Sequence, residues 1–122
     1  MKQYALDVDG FASRITLFPW EAVPRAVGTE ERPEAIIVCD ENTSAIAEVV
    51  RNHSAESLDI RNTVTLPPGE RQKSMEWVHE VLSAAIEADL SRRGRVVVVG
   101  GGVACDLGAY AASVYLRGVA VE

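Results

Sequence analysis

Three consecutive glycines that follow a run of valines form the part of the sequence best suited to bind a ligand. The valines at residues 96–99 form a short apolar segment, which is typical of a strand buried on both faces of a parallel sheet. Gly100, Gly101 and Gly102 allow a sharp turn and a close approach of a ligand to the backbone, because they carry no Cβ. A helix is predicted to start near Val103, and its first N–H groups and partial positive charge suit a phosphate. The segment is therefore a candidate nucleotide or sugar-phosphate site.

The glycine segment departs from two common phosphate-binding motifs. The dinucleotide fingerprint G-x-G-x-x-G needs a glycine at its sixth position, where this sequence has Cys105. The phosphate-binding loop needs Gly-Lys-Ser or Gly-Lys-Thr after the glycines, and neither follows them here. A glycine-rich turn without a ligand is the alternative interpretation.

The two cysteines favour a reducing compartment. Cys39 and Cys105 lie far apart in the sequence and form no C-x-x-C pair. Cys105 lies near the predicted helix start, a position that can make a thiol reactive. The simpler expectation is that Cys105 is a small residue filling the junction between strand and helix.

Composition narrows the class of protein. A chain of 122 residues that is 48% hydrophobic and 25% charged is typical of one globular domain. The net charge of −6 and the lack of a basic run argue against a nucleic-acid surface. No apolar run approaches the roughly 20 residues of a membrane span, and the first residues lack the apolar core of a signal peptide. We therefore expect a cytoplasmic protein without a membrane partner.

Strand and helix patterns alternate along the chain. Strands at residues 4–8 and 13–18 are predicted to form a hairpin around a turn at Asp9 and Gly10. Residues 19–33 are predicted to be mostly loop, with one helical turn between Trp20 and Val27. The other predicted strands are 35–39, 58–66, 95–99 and 118–121. Helices are predicted from an N-cap within 40–44 to about Asn52, over 75–90, and from Val103.

The helix over residues 75–90 has the clearest period in the chain. Its predicted apolar stripe consists of Met75, Val78, Val81, Leu82, Ala85, Ile86 and the end at Asp89 and Leu90. Its charged residues fall largely outside that stripe. The alternation of strands and helices predicts an α/β fold: a Rossmann-like parallel sheet with helices on both faces and an N-terminal hairpin.

Polar residues follow three of the predicted strands. Asp40 and Asn42 follow the strand at 35–39, and Glu70 and Lys73 follow the strand at 58–66. The glycines and then Asp106 follow the valine strand. Ligands of parallel sheets bind outside the carboxyl ends of the strands, so these segments point to one edge. Polar residues at strand ends can also be only caps and turns, and both interpretations stay open here.

Taken together, these motifs resemble the 3-dehydroquinate synthase family. The resemblance rests on Pro-Gly-Glu-Arg-Gln-Lys at 68–73, Val-Gly-Gly-Gly-Val-Ala-Cys-Asp-Leu at 99–107, and Ala-Ala-Ser-Val-Tyr-Leu-Arg-Gly-Val at 111–119. It extends from about Ala35 to the end of the chain and more loosely before that. It implies an N-terminal α/β domain that binds NAD, followed in the family by a helical metal-binding domain.

The resemblance also implies roles for individual residues. NAD-contacting positions of the family match Asp40, Asn42, Glu70, Lys73, Gly100, Gly101, Gly102, Val103 and Asp106. Asp40 and Asn42 would contact the adenosine side, the glycine turn the pyrophosphate, and Asp106 the nicotinamide half. Arg117 matches an arginine that holds the substrate phosphate, typically from the neighbouring subunit of a homodimer. No catalytic residue and no metal ligand is assigned to this chain.

The activity implied by the resemblance is that of a lyase of the shikimate pathway. A seven-carbon keto-acid phosphate loses phosphate and closes to a ring, while NAD oxidises and then reduces a substrate hydroxyl carbon. A divalent zinc or cobalt ion is expected in the second domain. Other sugar-phosphate cyclases, of the deoxy-inosose or valiolone type, remain alternatives. Glycerol-dehydrogenase-like enzymes are disfavoured, because they generally carry a lysine where this chain has Ala109.

Two departures from the family pattern affect these expectations. The family usually has Asp-Leu-x-Gly-Phe, whereas this chain has its glycine one position earlier, at Gly108, and Tyr110 at the aromatic position. The family continues beyond the position of Glu122 with the domain that binds the metal, and His53 and His79 have no ligand pattern around them. We expect the N-terminal domain of a larger enzyme, inactive by itself. A short natural protein, completed by a partner or without catalysis, is the alternative.

Overall fold

The computed structural model describes residues 32–122 and, at its N-terminus, the backbone of two strands. Strands β1 (Lys2–Val8) and β2 (Phe11–Leu17) pair antiparallel, with Val8 opposite Phe11. This pairing confirms the predicted hairpin, although each strand begins two residues before its predicted start. The turn at Asp9 and Gly10 lies outside the described residues, as do residues 18–31, which hold most of the predicted loop and its helical turn.

Four parallel strands form the main sheet of the described residues. They are β3 (Glu34–Asp40), β4 (Asp59–Leu66), β5 (Arg95–Val99) and β6 (Ala120–Val121), in the spatial order β4–β3–β5–β6. Cys39 pairs with Thr65 on one side and with Val99 on the other. This register brings the carboxyl ends of β3, β4 and β5 to one edge, as the strand pattern predicts.

Three helices cover the two faces of this sheet. They are α1 (Ser44–Ser54), α2 (Met75–Glu87) and α3 (Gly102–Val114). On β3, Ile36 and Val38 belong to the core formed with α2 and α3, whereas Ile37 and Cys39 belong to the core formed with α1. All four side chains are fully buried, which is the strand periodicity of two with an apolar layer on each side. The predicted α/β class, with helices on both faces, is confirmed.

The buried face of α2 is rotated from the predicted stripe. Val78, Val81 and Ala85 are buried as predicted, but Met75 and Ile86 are 64% and 67% exposed. Ala84 is buried instead, and its small side chain lets the helix backbone lie close to the sheet. The helix also ends at Glu87 rather than at residue 90, and Asp89 takes a positive φ of 51° beyond it.

Close packing of α3 on the sheet explains the displaced glycine. A Cβ on Gly108 would lie 2.5 Å from Cγ2 of Val98, so α3 approaches β5 more closely than any larger residue allows. The junction between β5 and α3 is filled by Ala104, which is fully buried. Cys105 is exposed, so the expectation that it fills this junction is wrong: one residue further along, its side chain is turned by about 100° around the helix.

The helices within residues 32–122 are 13 residues long or shorter. In this part of the chain none has the length and apolar character that a bilayer span requires.

Candidate nucleotide-binding site

The carboxyl ends of three neighbouring strands carry the residues that the sequence singles out. Asp40 is the last residue of β3, and the glycine turn follows β5 directly. After β4, Gly69 has a positive φ of 113°, which turns the chain into the short helical turn Glu70–Gln72 and then to Lys73. Because β3 lies between β4 and β5, all three segments lie along the same edge.

The end of β3 is fixed to the end of β5 by Thr43. The Thr43 hydroxyl lies 2.7 Å from the carbonyl oxygen of Val99, to which it donates, and it accepts the N–H of Asp40 at 3.1 Å. The Thr43 N–H in turn donates to Oδ1 of Asp40 at 2.9 Å. A Cβ on Gly100 would lie 3.5 Å from the other carboxylate oxygen, Oδ2, so this oxygen lies beside the glycine turn.

A second group of charges connects the segment after β4 with the first turns of α3. The Nζ of Lys73 lies 2.7 Å from Oε1 of Glu70 and 2.8 Å from Oδ2 of Asp106. The hydrogen bond to Asp106, and then that to Glu70, raise the pKa of Lys73 above its ordinary value. Glu70 and Asp106 therefore both form ion pairs with Lys73. The ammonium is firmly held as a cation at the edge of the sheet.

The glycine turn leaves backbone donors without partners inside the helix. Gly101 is the N-cap of α3, and the first intrahelical bond runs from the N–H of Cys105 to the Gly101 oxygen at 3.0 Å. The N–H groups of Gly102, Val103 and Ala104 precede that bond and therefore have no acceptor within the helix. A Cβ on Gly101 or Gly102 would meet nothing within 4 Å, so no side chain packs against these two glycines on their Cβ side. Three donors at a helix N-terminus suit an anionic group such as a pyrophosphate.

Gly100 has a packing role of its own. A Cβ at this position would lie 2.8 Å from the Cβ of Ala104, a distance that real side chains do not adopt. The packing of the turn on α3 therefore requires glycine at position 100, whether or not a ligand binds there.

The remaining predicted site residues differ in position. Asn42 is exposed in the turn between β3 and α1, two residues after Asp40. Arg117 is exposed beyond the end of α3, in a turn where it and Leu116 have positive φ values of 68° and 45°. It is therefore not a charge on the last turn of the helix. The 13 residues of α3 separate it from the glycine turn by about 20 Å.

Thr43 is the site residue that the sequence analysis missed. It stands at the N-cap of α1, where a threonine is expected to bond to its own helix, yet its side chain makes no capping hydrogen bond. Its bond to Val99 crosses from one strand end to another, and no local sequence pattern signals such a contact.

The described residues offer no metal centre. Within residues 32–122 no three side chains of His, Cys, Asp or Glu are grouped so that they could hold a metal ion. His79 is exposed on α2, and its Nδ1 lies 3.5 Å from the hydroxyl of Ser83 on the same helix.

A cavity among the described residues lies at the opposite edge of the sheet. It is open, has a volume of about 1120 Å³, and is bordered by the strand starts at Glu34, Asp59 and Arg95. It shares no residue with the carboxyl edge. We place the candidate site at the carboxyl edge because the paired charges and unpartnered helix donors occur there, whereas the cavity is a shallow space between exposed polar side chains.

Comparison with known proteins agrees with this fold. A family model described as 3-dehydroquinate synthase N-terminal matches residues 63–122. The 3-dehydroquinate synthase of Symbiobacterium thermophilum is 34% identical over 90 residues, covering 73% of this chain and 25% of the relative. The chloroplastic 3-dehydroquinate synthase of Solanum lycopersicum is 42% identical over 85 residues, covering 70% of this chain and 18% of the relative. The chain thus spans about a quarter or less of these relatives.

Solved structures share the fold over a longer stretch. A 2-deoxy-scyllo-inosose synthase complexed with carbaglucose-6-phosphate, NAD⁺ and Co²⁺ superposes with a TM-score of 0.79 at 19% identity, covering 98% of this chain and 34% of that one. A 2-epi-5-epi-valiolone synthase from Streptomyces hygroscopicus, with NAD⁺ and Zn²⁺ bound, gives a TM-score of 0.58 at 29% identity over 72% of this chain and 25% of its own. The chain is therefore a relative of the 3-dehydroquinate synthases, and its match to the model of their N-terminal domain covers residues 63–122.

Proposed function

We propose that this chain binds NAD at the carboxyl edge of its parallel sheet, as the single N-terminal domain of a phosphate-eliminating cyclase of the 3-dehydroquinate synthase type. The observation that carries the proposal is the convergence at this edge of three groups from separate parts of the sequence. They are the Asp40 carboxylate, the first N–H groups of α3 at the glycine turn, and the cation of Lys73 held by Glu70 and Asp106.

The arrangement fits the chemical groups of a dinucleotide. Oδ1 of Asp40 is already bonded to Thr43, whereas Oδ2 lies beside the glycine turn as an acceptor for a ribose hydroxyl, with Asn42 nearby in sequence. The free N–H groups of Gly102 and Val103 would hold the pyrophosphate. Lys73 and Asp106 would lie towards the nicotinamide half, where the cation donates to a hydroxyl or phosphate oxygen.

Within the larger enzyme, bound NAD supplies reversible hydride transfer at a substrate hydroxyl carbon. The residues of this chain bind and orient it, and Arg117 holds the phosphate of the seven-carbon keto-acid substrate, with its planar fork matching the phosphate oxygens. We assign the divalent metal, zinc or cobalt, to a second domain, and Arg117 to the active site of the partner in a homodimer.

A second candidate function is a related cyclisation of the deoxy-inosose type. The TM-score of 0.79 to 2-deoxy-scyllo-inosose synthase over 98% of this chain favours it. 3-Dehydroquinate synthesis remains the first candidate, because the family model and the more similar relatives carry that activity in their names. Assays of the full-length enzyme with each substrate would separate the two activities.

Calorimetric titration of the purified chain with NAD tests the binding proposal. Asp40→Asn keeps one oxygen for the Thr43 N–H but replaces the second acceptor with an amide donor. Loss of a charge-assisted hydrogen bond costs about 1.5–3 kcal/mol, so the affinity should fall roughly ten- to a hundredfold. Glu87→Gln is a control, since it removes a carboxylate at the end of α2 outside the site. If NAD affinity is the same in Asp40→Asn as in the wild-type chain, Asp40 does not contact the nucleotide.

A further inference from the structure

We infer that Thr43 is a positioning residue of the nucleotide site, which holds Asp40 and the glycine turn at the separation that one dinucleotide must span. The inference rests on the proposed function, because it concerns the same site. It assigns a role to a side chain that contacts neither the ribose nor the pyrophosphate in that proposal.

The unusual use of the Thr43 hydroxyl is the first observation. A hydroxyl has one proton to donate, and its shortest contact, 2.7 Å, is with the carbonyl oxygen of Val99. The oxygen accepts the N–H of Asp40 at 3.1 Å. Although Thr43 is the N-cap of α1, this side chain leaves the helix donors without a capping bond. The hydroxyl therefore joins the backbone of one strand end to the backbone of another.

The position of this bond at the end of the sheet is the second observation. The pairing of β3 with β5 ends at Cys39 opposite Val99. Beyond that pair the two chains separate, Asp40 continuing towards α1 and Gly100 towards α3. The Thr43 hydroxyl spans the two chains at this point, directly after the last paired residues.

The ligand groups on either side of this link belong to different strands. Asp40 follows β3 and would hold the ribose, whereas the glycine turn follows β5 and would hold the pyrophosphate. Oδ2 of Asp40 lies beside Gly100, and Oδ1 is fixed by the Thr43 N–H at 2.9 Å. Thr43 thus sets both the direction of the Asp40 carboxylate and its distance from the glycine turn. Because these groups are already in place, the entropic cost of ordering the site when the nucleotide binds is smaller.

Paired substitutions separate the hydroxyl from the shape of the side chain. Thr43→Val keeps the shape and the backbone N–H but removes the bond to Val99 and the acceptor for the Asp40 N–H. Thr43→Ser keeps the hydroxyl. By calorimetry we expect NAD affinity to fall about three- to tenfold in Thr43→Val, because the site that has lost these two hydrogen bonds must be ordered when NAD binds. In Thr43→Ser we expect the affinity to stay within twofold of wild type. Amide hydrogen exchange of the chain without ligand should show faster exchange of the Asp40 N–H in Thr43→Val only.

A double-mutant cycle distinguishes a positioning residue from general stabilisation. If Thr43 acts through Asp40, Thr43→Val should weaken NAD binding less in the Asp40→Ala chain than in the wild-type chain. Equal weakening in both backgrounds, or wild-type affinity in Thr43→Val, overturns the inference. Failure of the wild-type chain to bind NAD is a different outcome, which overturns the proposed function before any variant is compared.

Discussion

At the scale of single residues, the Lys73 cluster is a recognition feature more than a source of stability. The side chains of Lys73, Glu70 and Asp106 are 36%, 75% and 64% exposed, and ion pairs at such positions contribute little to folding. The two ion pairs instead fix the position of the Lys73 ammonium, because two carboxylates hold its long, flexible side chain in one place. The contact between Lys73 and Asp106 could not be predicted from the sequence. It depends on β3 lying between β4 and β5, which spacing along the chain does not reveal.

Replacing Lys73 tests whether its ion pairs serve NAD binding and contribute little to the stability of the fold. Lys73→Met should lower NAD affinity roughly ten- to a hundredfold, because it removes a charged donor, while the melting temperature changes little. Arg95→Gln is the matched control, since it breaks an exposed ion pair of 2.9 Å with Glu122 at the other edge of the sheet. Similar NAD affinity in the two variants would argue against a role for Lys73.

The raised pKa of Lys73 gives this test a pH signature. A lysine whose pKa is higher in the folded state than its ordinary value of 10.5 makes its full contribution below that pH and loses it only as the pH rises further. The deficit of Lys73→Met in NAD affinity should therefore be the same at pH 6.5 and pH 9. A deficit that disappears at pH 9 would mean that the lysine loses its proton within this range.

At the scale of elements, the sequence predicts what depends on local pattern and misses what depends on neighbours. The valine run, the turn of the hairpin, the capping residues before α1 and the period of α2 are all local signals. The described strands and helices occur at the predicted places within a few residues. The prediction that Met75 and Ile86 are buried in α2 was wrong. Small alanines are buried where the helix lies close to the sheet, and this closeness depends on the neighbouring element and not on the hydrophobicity of the sequence. The glycine at position 108 also depends on a neighbouring element, since a larger residue there would clash with Val98 of β5.

Substitution of Gly108 tests the close packing of α3 on β5. In Gly108→Ala the new Cβ would meet Val98, and overpacking of this kind costs about 1–3 kcal/mol, against roughly 1 kcal/mol gained from the helix propensity of alanine. We expect a lower free energy of unfolding in urea titrations. Gly102→Ala, at the open first turn of the same helix, should show no such loss. Equal stability of the two variants would contradict the packing account.

At the scale of the whole molecule, nucleotide binding and metal binding are proposed to lie in different domains. The described residues carry unpartnered donors and a fixed cation at one edge of the sheet, but no grouping of side chains for a metal. The chain spans about a quarter of its relatives, and the proposal assigns the metal to residues outside it. We expect no phosphate release from the purified chain supplied with NAD, a divalent metal and the keto-acid phosphate, and turnover at enzyme-like rates would refute the two-domain proposal.

Arg117 tests the assembly proposed for the full-length enzyme. Because α3 places it about 20 Å from the glycine turn, Arg117→Ala should raise KM or lower kcat/KM for the phosphorylated substrate and leave NAD affinity nearly unchanged. Mixing it with a subunit inactive at another site should restore part of the activity, since a mixed dimer then contains one complete site. Parallel loss of NAD and substrate binding, or no rescue, would leave Arg117 as a structural residue of the turn after α3.

The most direct test of the central claim is a titration of the isotope-labelled chain with NAD, followed by the amide resonances in nuclear magnetic resonance spectra. This measurement detects weak binding and locates it. We predict that the shifts concentrate in the segments at residues 40–43, 70–73 and 100–106, and that they disappear in Asp40→Asn at the same NAD concentration. Shifts confined to the opposite edge, around residues 32–34 and 91–95, or no shifts at millimolar NAD, would contradict the account.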